Sequence, residues 1–229
     1  PNEPFDVIEH YASKVPVIII ARMLGVPEDM CGQLLKWSNA MVAMYQASRT
    51  HEIELEAAKA SAEFYDFMRS YIDARREKPG NDLLTELIAA EEDGEKLTTD
   101  EMISTCILLL NAGHEATVHT IGNSVKTLLQ AGADLNCLAP DRIQTTVEEL
   151  IRFDPPLHMF TRYAYEDVEV GGHTLKRGDQ IALLLGAANR DPSMWEDPNL
   201  FNPSRVIKTN MAFGAGRHFC IGAPLARLE

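Results

Sequence analysis

Phe213-Gly214-Ala215-Gly216-Arg217-His218-Phe219-Cys220-Ile221-Gly222 is the stretch on which the reading of this 229-residue chain turns. One cysteine stands among three glycines, and Ala223-Pro224-Leu225-Ala226-Arg227-Leu228-Glu229 follows at once with the look of a helix start. Glycine lets a backbone turn tightly, or lie against a flat ligand where a Cβ would collide. The first turn of a helix offers unpaired N–H groups and the positive end of its dipole, which steady a nearby thiolate. A structural cysteine in a Gly-rich turn is the plainer alternative, but ten positions here obey one pattern.

That pattern resembles the cysteine loop of the cytochrome P450 family, Phe-Gly-x-Gly-x-His-x-Cys-x-Gly, with each fixed position matched by Phe213, Gly214, Gly216, His218, Cys220 and Gly222. The resemblance implies haem b as cofactor and Cys220 as the axial thiolate, the metal ligand that favours O–O cleavage. It runs over the whole chain, with elements at both ends of the family's fold lacking. The expectation is therefore a single incomplete catalytic domain over 1–229, a fragment without the N-terminal and C-terminal parts.

Composition sets the outer bounds. Hydrophobic residues make up 45% and charged ones 24%, ordinary values for a globular protein. A net charge of −13 argues against nucleic acid as a partner. The apolar runs at 15–21 and 107–110 are far short of the roughly 20 residues a membrane span needs, and no signal segment opens the chain. Cys31, Cys106, Cys137 and Cys220 show neither disulfide nor paired-metal spacing, which suits reduced thiols in a cytoplasm.

Helical periodicity covers most of the first 153 residues. The pattern runs over 4–26, with Pro16 at a helix start and Gly25 and Pro27 as its stop, and predicts helices over 28–47, 53–76 and 82–92, the last closed by Asp93-Gly94. On the helix over 53–76, Leu55, Ala58, Ala62, Phe64, Tyr65, Phe67, Met68, Tyr71 and Ile72 are expected to face a core. Thr98-Thr99-Asp100-Glu101 is a capping box that opens a proline-free run to Gly132, room for one helix on the order of 45–50 Å long. Gly113 in its middle costs about 1 kcal/mol against alanine, so something is expected to approach the backbone there.

His114, Glu115 and His119 invite a zinc reading that fails, because histidines five apart on a helix point about 140° from each other. Ala112-Gly113-His114-Glu115-Ala116-Thr117 instead is similar to the oxygen-activating helix of the same family. The resemblance makes Ala112 and Gly113 cofactor contacts and Glu115 a proton relay. Ala116 departs from it, standing where most members carry a threonine that helps to deliver protons. Thr117 lies roughly 100° further around the helix and cannot simply replace that residue. The expectation is that a substrate hydroxyl and water complete the relay.

After Pro140-Asp141, read as a cap, a helix over 142–153 carries Glu149 and Arg152, three apart and able to pair. The family's Glu-x-x-Arg motif is joined by a later arginine, here assigned to Arg205, as a structural ion-pair triad. The resemblance further implies that the extended segment after Pro156 supplies Arg162 as a propionate partner, with His218 as a second, and Leu157 and Met159 as candidate substrate contacts. Beyond it, 168–175 reads as a hairpin around Gly171-Gly172 and 180–185 as a strand.

The fold class expected is thus mainly α with a small β part, a truncated cytochrome P450 fold. Resemblance implies a monooxygenase that puts one atom of O2 into a hydrophobic organic substrate. Electrons would come from NAD(P)H through a ferredoxin reductase and a ferredoxin, since the chain holds no dinucleotide fingerprint or P-loop. Arg205, Arg217 and Arg227 are candidates for a basic patch facing that acidic partner, or equally for propionate or structural roles. A peroxide-driven peroxygenase, and a haem-binding protein without turnover, remain as alternatives.

Overall fold

A computed structural model describes residues 4–46, 48–92 and 97–229. The chain divides into two compact units, one of residues 1–118 with Glu229 and one of residues 119–228.

The first unit is helical. A π-helical turn at Ile8–Ala12 leads into α1 (Lys14–Leu24), which has Pro16 in its first turn and Gly25 as its C-cap, as expected. α2 (Cys31–Val42) is flanked by 3-10 turns at Glu28–Met30 and Ala43–Tyr45, which shortens the helix expected over 28–47. α3 (His51–Glu77) begins where the Thr50 hydroxyl accepts the Ile53 N–H, at 3.4 Å. α4 (Leu83–Glu92) follows, and the Asp93-Gly94 stop assigned to it lies outside the described residues.

α5 (Thr99–Gln130) is the long helix that the absence of proline allows, and it runs across the division between the units. Its capping box closes as read. Glu101 accepts the Thr98 N–H at 2.8 Å, and the Thr98 hydroxyl accepts the Glu101 N–H at 3.3 Å.

One hydrophobic core fills this unit, with Ile20 and Leu24 of α1, Leu34 of α2, Phe64, Met68 and Ile72 of α3, and Ile103, Cys106 and Leu110 of α5. Each large side chain removed from water there contributes about 1.5–3 kcal/mol. The inward face of α3 differs from the expected one. Leu55 is 58% exposed, and Ala57 and Ala60 are buried where Ala58 and Ala62 were expected. The stripe is carried by 57, 60, 64, 68 and 72, a 3.6-residue period that Leu55 falls outside.

The second unit holds α6 (Ile143–Phe153), α7 (Leu185–Ala188), α8 (Ala223–Leu228) and four short strands. β1 (Phe160–Tyr163) pairs antiparallel with β4 (Gln180–Leu183), with Arg162 opposite Ile181. β2 (Val168–Val170) and β3 (His173–Leu175) form the hairpin around Gly171-Gly172. The strand expected over 180–185 stops two residues early, because Leu185 begins α7. Nor does Asp141 cap α6: Arg142 holds that position and its side chain makes no capping bond. Among the described residues, no helix is long and apolar enough to cross a membrane.

Candidate functional site

Backbone bonds shape the cysteine loop. The Cys220 N–H donates to the Phe213 carbonyl at 2.9 Å, tying the two ends of the quoted stretch. Between them, Gly214 and Gly216 take φ of +70° and +67°, the left-handed region that other residues enter only with strain. Phe219 N–H reaches back to Gly216 O at 3.1 Å, and the Cys220 carbonyl accepts the Ala223 N–H at 3.2 Å as α8 begins. Gly222 meets the cysteine most closely, since a Cβ there would lie 3.9 Å from Sγ.

The closed loop presents its thiol to the outside. Cys220 is a free, exposed cysteine, flanked by Phe219 at 49% and Ile221 at 94% exposure. A soft sulfur donor between two exposed apolar side chains fits a flat, largely apolar ligand carrying a metal ion that prefers thiolate. Among the described residues no cluster of three His, Cys, Asp or Glu could hold a metal by itself. His218, two residues before the sulfur, is exposed, as is Arg162, whose guanidinium donates to the Thr161 carbonyl at 2.8 Å. Leu157 and Met159 are 45% and 50% exposed on the segment leading into β1. A cavity of about 500 Å3 opens beside the loop, with Glu148, Met211, Gly214, Phe219 and Arg227 in its wall.

Behind the loop lies a buried polar network. Glu149 and Arg152 have no exposed surface, and their side chains form a bidentate pair at 2.6 and 2.8 Å. Arg205 Nε adds a third member, 3.2 Å from Glu149 Oε1, and the Asn202 N–H a further bond at 3.0 Å. The guanidinium of Arg205 also donates to the carbonyls of Glu196, Asp197 and Leu200. Asp197 sits at φ +43° to offer its carbonyl, a left-handed position for a non-glycine. Charges this deep are tolerated only when all their donors and acceptors are satisfied.

Sequence reasoning passed over Asn189, which joins that network to the loop. Its backbone carbonyl accepts Arg152 Nη1 at 2.7 Å, while its fully buried amide accepts the Met211 N–H at 2.8 Å and donates to Asn210 at 3.1 Å. The only signal was an asparagine in a turn-rich stretch, which surface loops share.

The proposed basic patch changes in composition. Arg205 is committed to the network, and Arg227 pairs with Glu148 while stacking over the Phe213 ring at 4.5 Å. Of the three arginines, Arg217 is the exposed one without such a commitment among the described contacts.

In the middle of α5, the close approach predicted at Gly113 is made by protein. A Cβ there would come within 2.6 Å of Ile20 Cδ1 in α1. Ala112 beside it is exposed. Thr117 spends its hydroxyl on the carbonyl of Gly113, one turn back, at 3.1 Å. Glu115 lies 3.9 Å from His114 Nδ1, and its side chain is 37% exposed. It lines a second cavity, of about 320 Å3, together with Asn39, Val42, Ala43, Tyr45 and Gln46. Ala116 contributes a methyl and no hydroxyl, so within 112–117 the side-chain hydroxyl comes from Thr117 alone.

The chain is similar to known proteins. The profile of the Cytochrome P450 family matches residues 143–229. Polyketide biosynthesis cytochrome P450 PksS of Bacillus subtilis is 41% identical over 98% of this chain and 55% of its own length. The 6-deoxyerythronolide B hydroxylase of Saccharopolyspora erythraea is 35% identical, with the same coverage. Among solved structures, P450BioI in complex with an acyl carrier protein ligated to hexadec-9Z-enoic acid superposes with a TM-score of 0.91 at 38% identity, over 98% of this chain and 58% of that one. The chain thus spans somewhat over half the length of these relatives. With the closed cysteine loop, the buried Glu149–Arg152 pair and these likenesses together, the chain belongs to the cytochrome P450 family.

Proposed function

We propose that the chain is the cysteine-bearing part of one haem-thiolate monooxygenase domain, and that it inserts one atom of O2 into an apolar organic substrate. The observation that supports this most is the exposed Cys220 thiol, held by backbone bonds between exposed apolar side chains. Haem b, when bound, supplies the reductive activation of dioxygen.

Each residue of the chain then has a task. Cys220 Sγ would hold the haem iron, and Phe213, Gly214, Gly216 and Gly222 keep its loop in shape. Arg162 and His218 would hold the two propionates of the haem, the guanidinium through charge-assisted bonds. The Glu149–Arg152–Arg205 triad holds the segment 196–202 in place, through the Asn202 N–H and the carbonyls of Glu196, Asp197 and Leu200. Glu115 carries protons at its carboxylate oxygens, with Ala112 beside the cofactor, while Gly113 packs against Ile20 of α1. Ala116 has no hydroxyl to pass the proton on, and the Thr117 hydroxyl is already bonded to Gly113. Ordered water and a substrate hydroxyl complete the path. Leu157 and Met159 touch the substrate.

Electrons reach the site from NAD(P)H through a ferredoxin and its reductase, with Arg217 in the docking face. The reading is tested by reconstituting the haem-loaded protein with ferredoxin, reductase and NADPH under isotopically labelled O2. One labelled oxygen per product is expected. Product formed with peroxide alone, and none with the redox chain, would make it a peroxygenase instead.

A further inference from the structure

The cavity around Glu115 has a chemistry that selects among substrates. Its described wall holds one carboxylate (Glu115), two amides (Asn39 and Gln46), the Tyr45 side chain and the small apolar Val42 and Ala43. No lysine, arginine or histidine is among those wall residues. His114, whose Nδ1 is 3.9 Å from Glu115, is buried behind it.

A second feature has the same sign. Val42 and Ala43 mark the C-terminal end of α2, where a helix presents carbonyls and the negative end of its dipole. The charge of the unit agrees with both. Residues 1–118 carry 21 acidic and 10 basic side chains, against 12 and 11 in residues 119–228. A group entering this cavity meets negative potential from three sources.

We infer that the cavity takes the polar end of an apolar molecule that donates hydrogen bonds and carries no negative charge, and that it rejects free carboxylates. This rests on the monooxygenase reading only in calling the bound molecule a substrate. The Glu115 carboxylate and the side-chain carbonyls of Asn39 and Gln46 are acceptors for the donated N–H or O–H. A carboxylate in the same place would bring like charges together in a partly desolvated site. Its apolar tail would gain nothing over that of a neutral analogue.

Decanamide and decanoate are the test pair, equal in chain length and different in charge. Equilibrium dialysis gives the Kd of each for the haem-loaded protein, for Glu115→Gln and for Asn39→Leu, with thermal melts to check that each variant folds. Decanamide is expected to bind about ten-fold more tightly, the difference one modest like-charge contact makes. Glu115→Gln should bring the two affinities toward equality, and Asn39→Leu should weaken decanamide while decanoate remains the poorer ligand.

Equal or tighter binding of decanoate overturns the inference. So does an unchanged preference in Glu115→Gln, or the failure of both compounds to bind at millimolar concentration. Dialysis reads neither iron coordination nor turnover. A lost preference alongside an intact thiolate spectrum would therefore sink this inference alone, and a kept preference without that spectrum would sink only the monooxygenase reading.

Discussion

Replacing Glu149 by glutamine keeps the shape of the side chain and removes its charge. In the native protein this carboxylate accepts four donors: Arg152 Nε at 2.6 Å, Arg152 Nη2 at 2.8 Å, the Asn202 N–H at 3.0 Å and Arg205 Nε at 3.2 Å. Glutamine would turn an N–H2 group toward one of these donors and leave Arg152, with no exposed surface, as an uncompensated cation. Breaking a buried pair in this way costs about 3–5 kcal/mol. For a chain of this size that corresponds to a fall in melting temperature of about 6–20 °C.

The assay has a natural probe in Trp195, whose ring lies 5.3 Å from the Arg152 guanidinium. A Trp37→Phe background makes it the sole tryptophan, and urea unfolding followed by its fluorescence reads the unit that contains the network. Lys176→Ala, which breaks an exposed ion pair with Asp167, is the control and should not move the midpoint. Pairing Glu149→Leu with Arg152→Met should cost less than the sum of the single changes, since no lone charge remains. If Glu149→Gln shifts the midpoint no more than Lys176→Ala, the reasoning about this network is wrong.

Burial raises the Cys106 thiol to about 11, from an ordinary value of 9. Its protonated form is favoured in the folded state, so the stability it contributes is full below pH 9 and is lost as pH rises to 11. About 2.7 kcal/mol should disappear across that window, and Cys106→Ala should flatten the fall in a pH series of urea midpoints. Gly113→Ala should destabilise by about 1–3 kcal/mol through overpacking against Ile20, and Ile20→Val should remove most of that penalty in a double-mutant cycle. Ala116→Thr should change the fraction of NADPH converted to product, by an amount that depends on whether the substrate carries a hydroxyl near the oxidised carbon. The same change with hydroxylated and plain substrates would count against the proposed relay.

Much of this was legible beforehand for physical reasons that differ from element to element. α5 could be read because Thr98 and Glu101 mark its start and nothing interrupts it, and local signals of that kind survive in any tertiary setting. The Glu149–Arg152 spacing announced a pair, but not its depth, because burial depends on what packs over a helix. Leu55 shows the converse, an apolar residue placed outward by the phase that Phe64, Met68 and Ile72 impose on α3.

Asn189 was invisible since its partners, Arg152 and Met211, come from distant stretches of chain. Gly113 was singled out correctly as a point of close approach, yet what approaches, Ile20 of α1, is set by helix packing that periodicity does not encode. The cysteine loop was the most readable part of all. The positive φ angles of Gly214 and Gly216 and the Phe213–Cys220 bond are consequences of one contiguous segment.

The most direct test of the account is the carbon monoxide difference spectrum of the reduced, haem-loaded protein, compared with that of Cys220→Ser. The native protein should show the red-shifted band that thiolate ligation produces, and the serine variant should lose it together with substrate oxidation. An unchanged band in Cys220→Ser would mean that the metal ligand is some other group, and the assignment of Cys220 would fall.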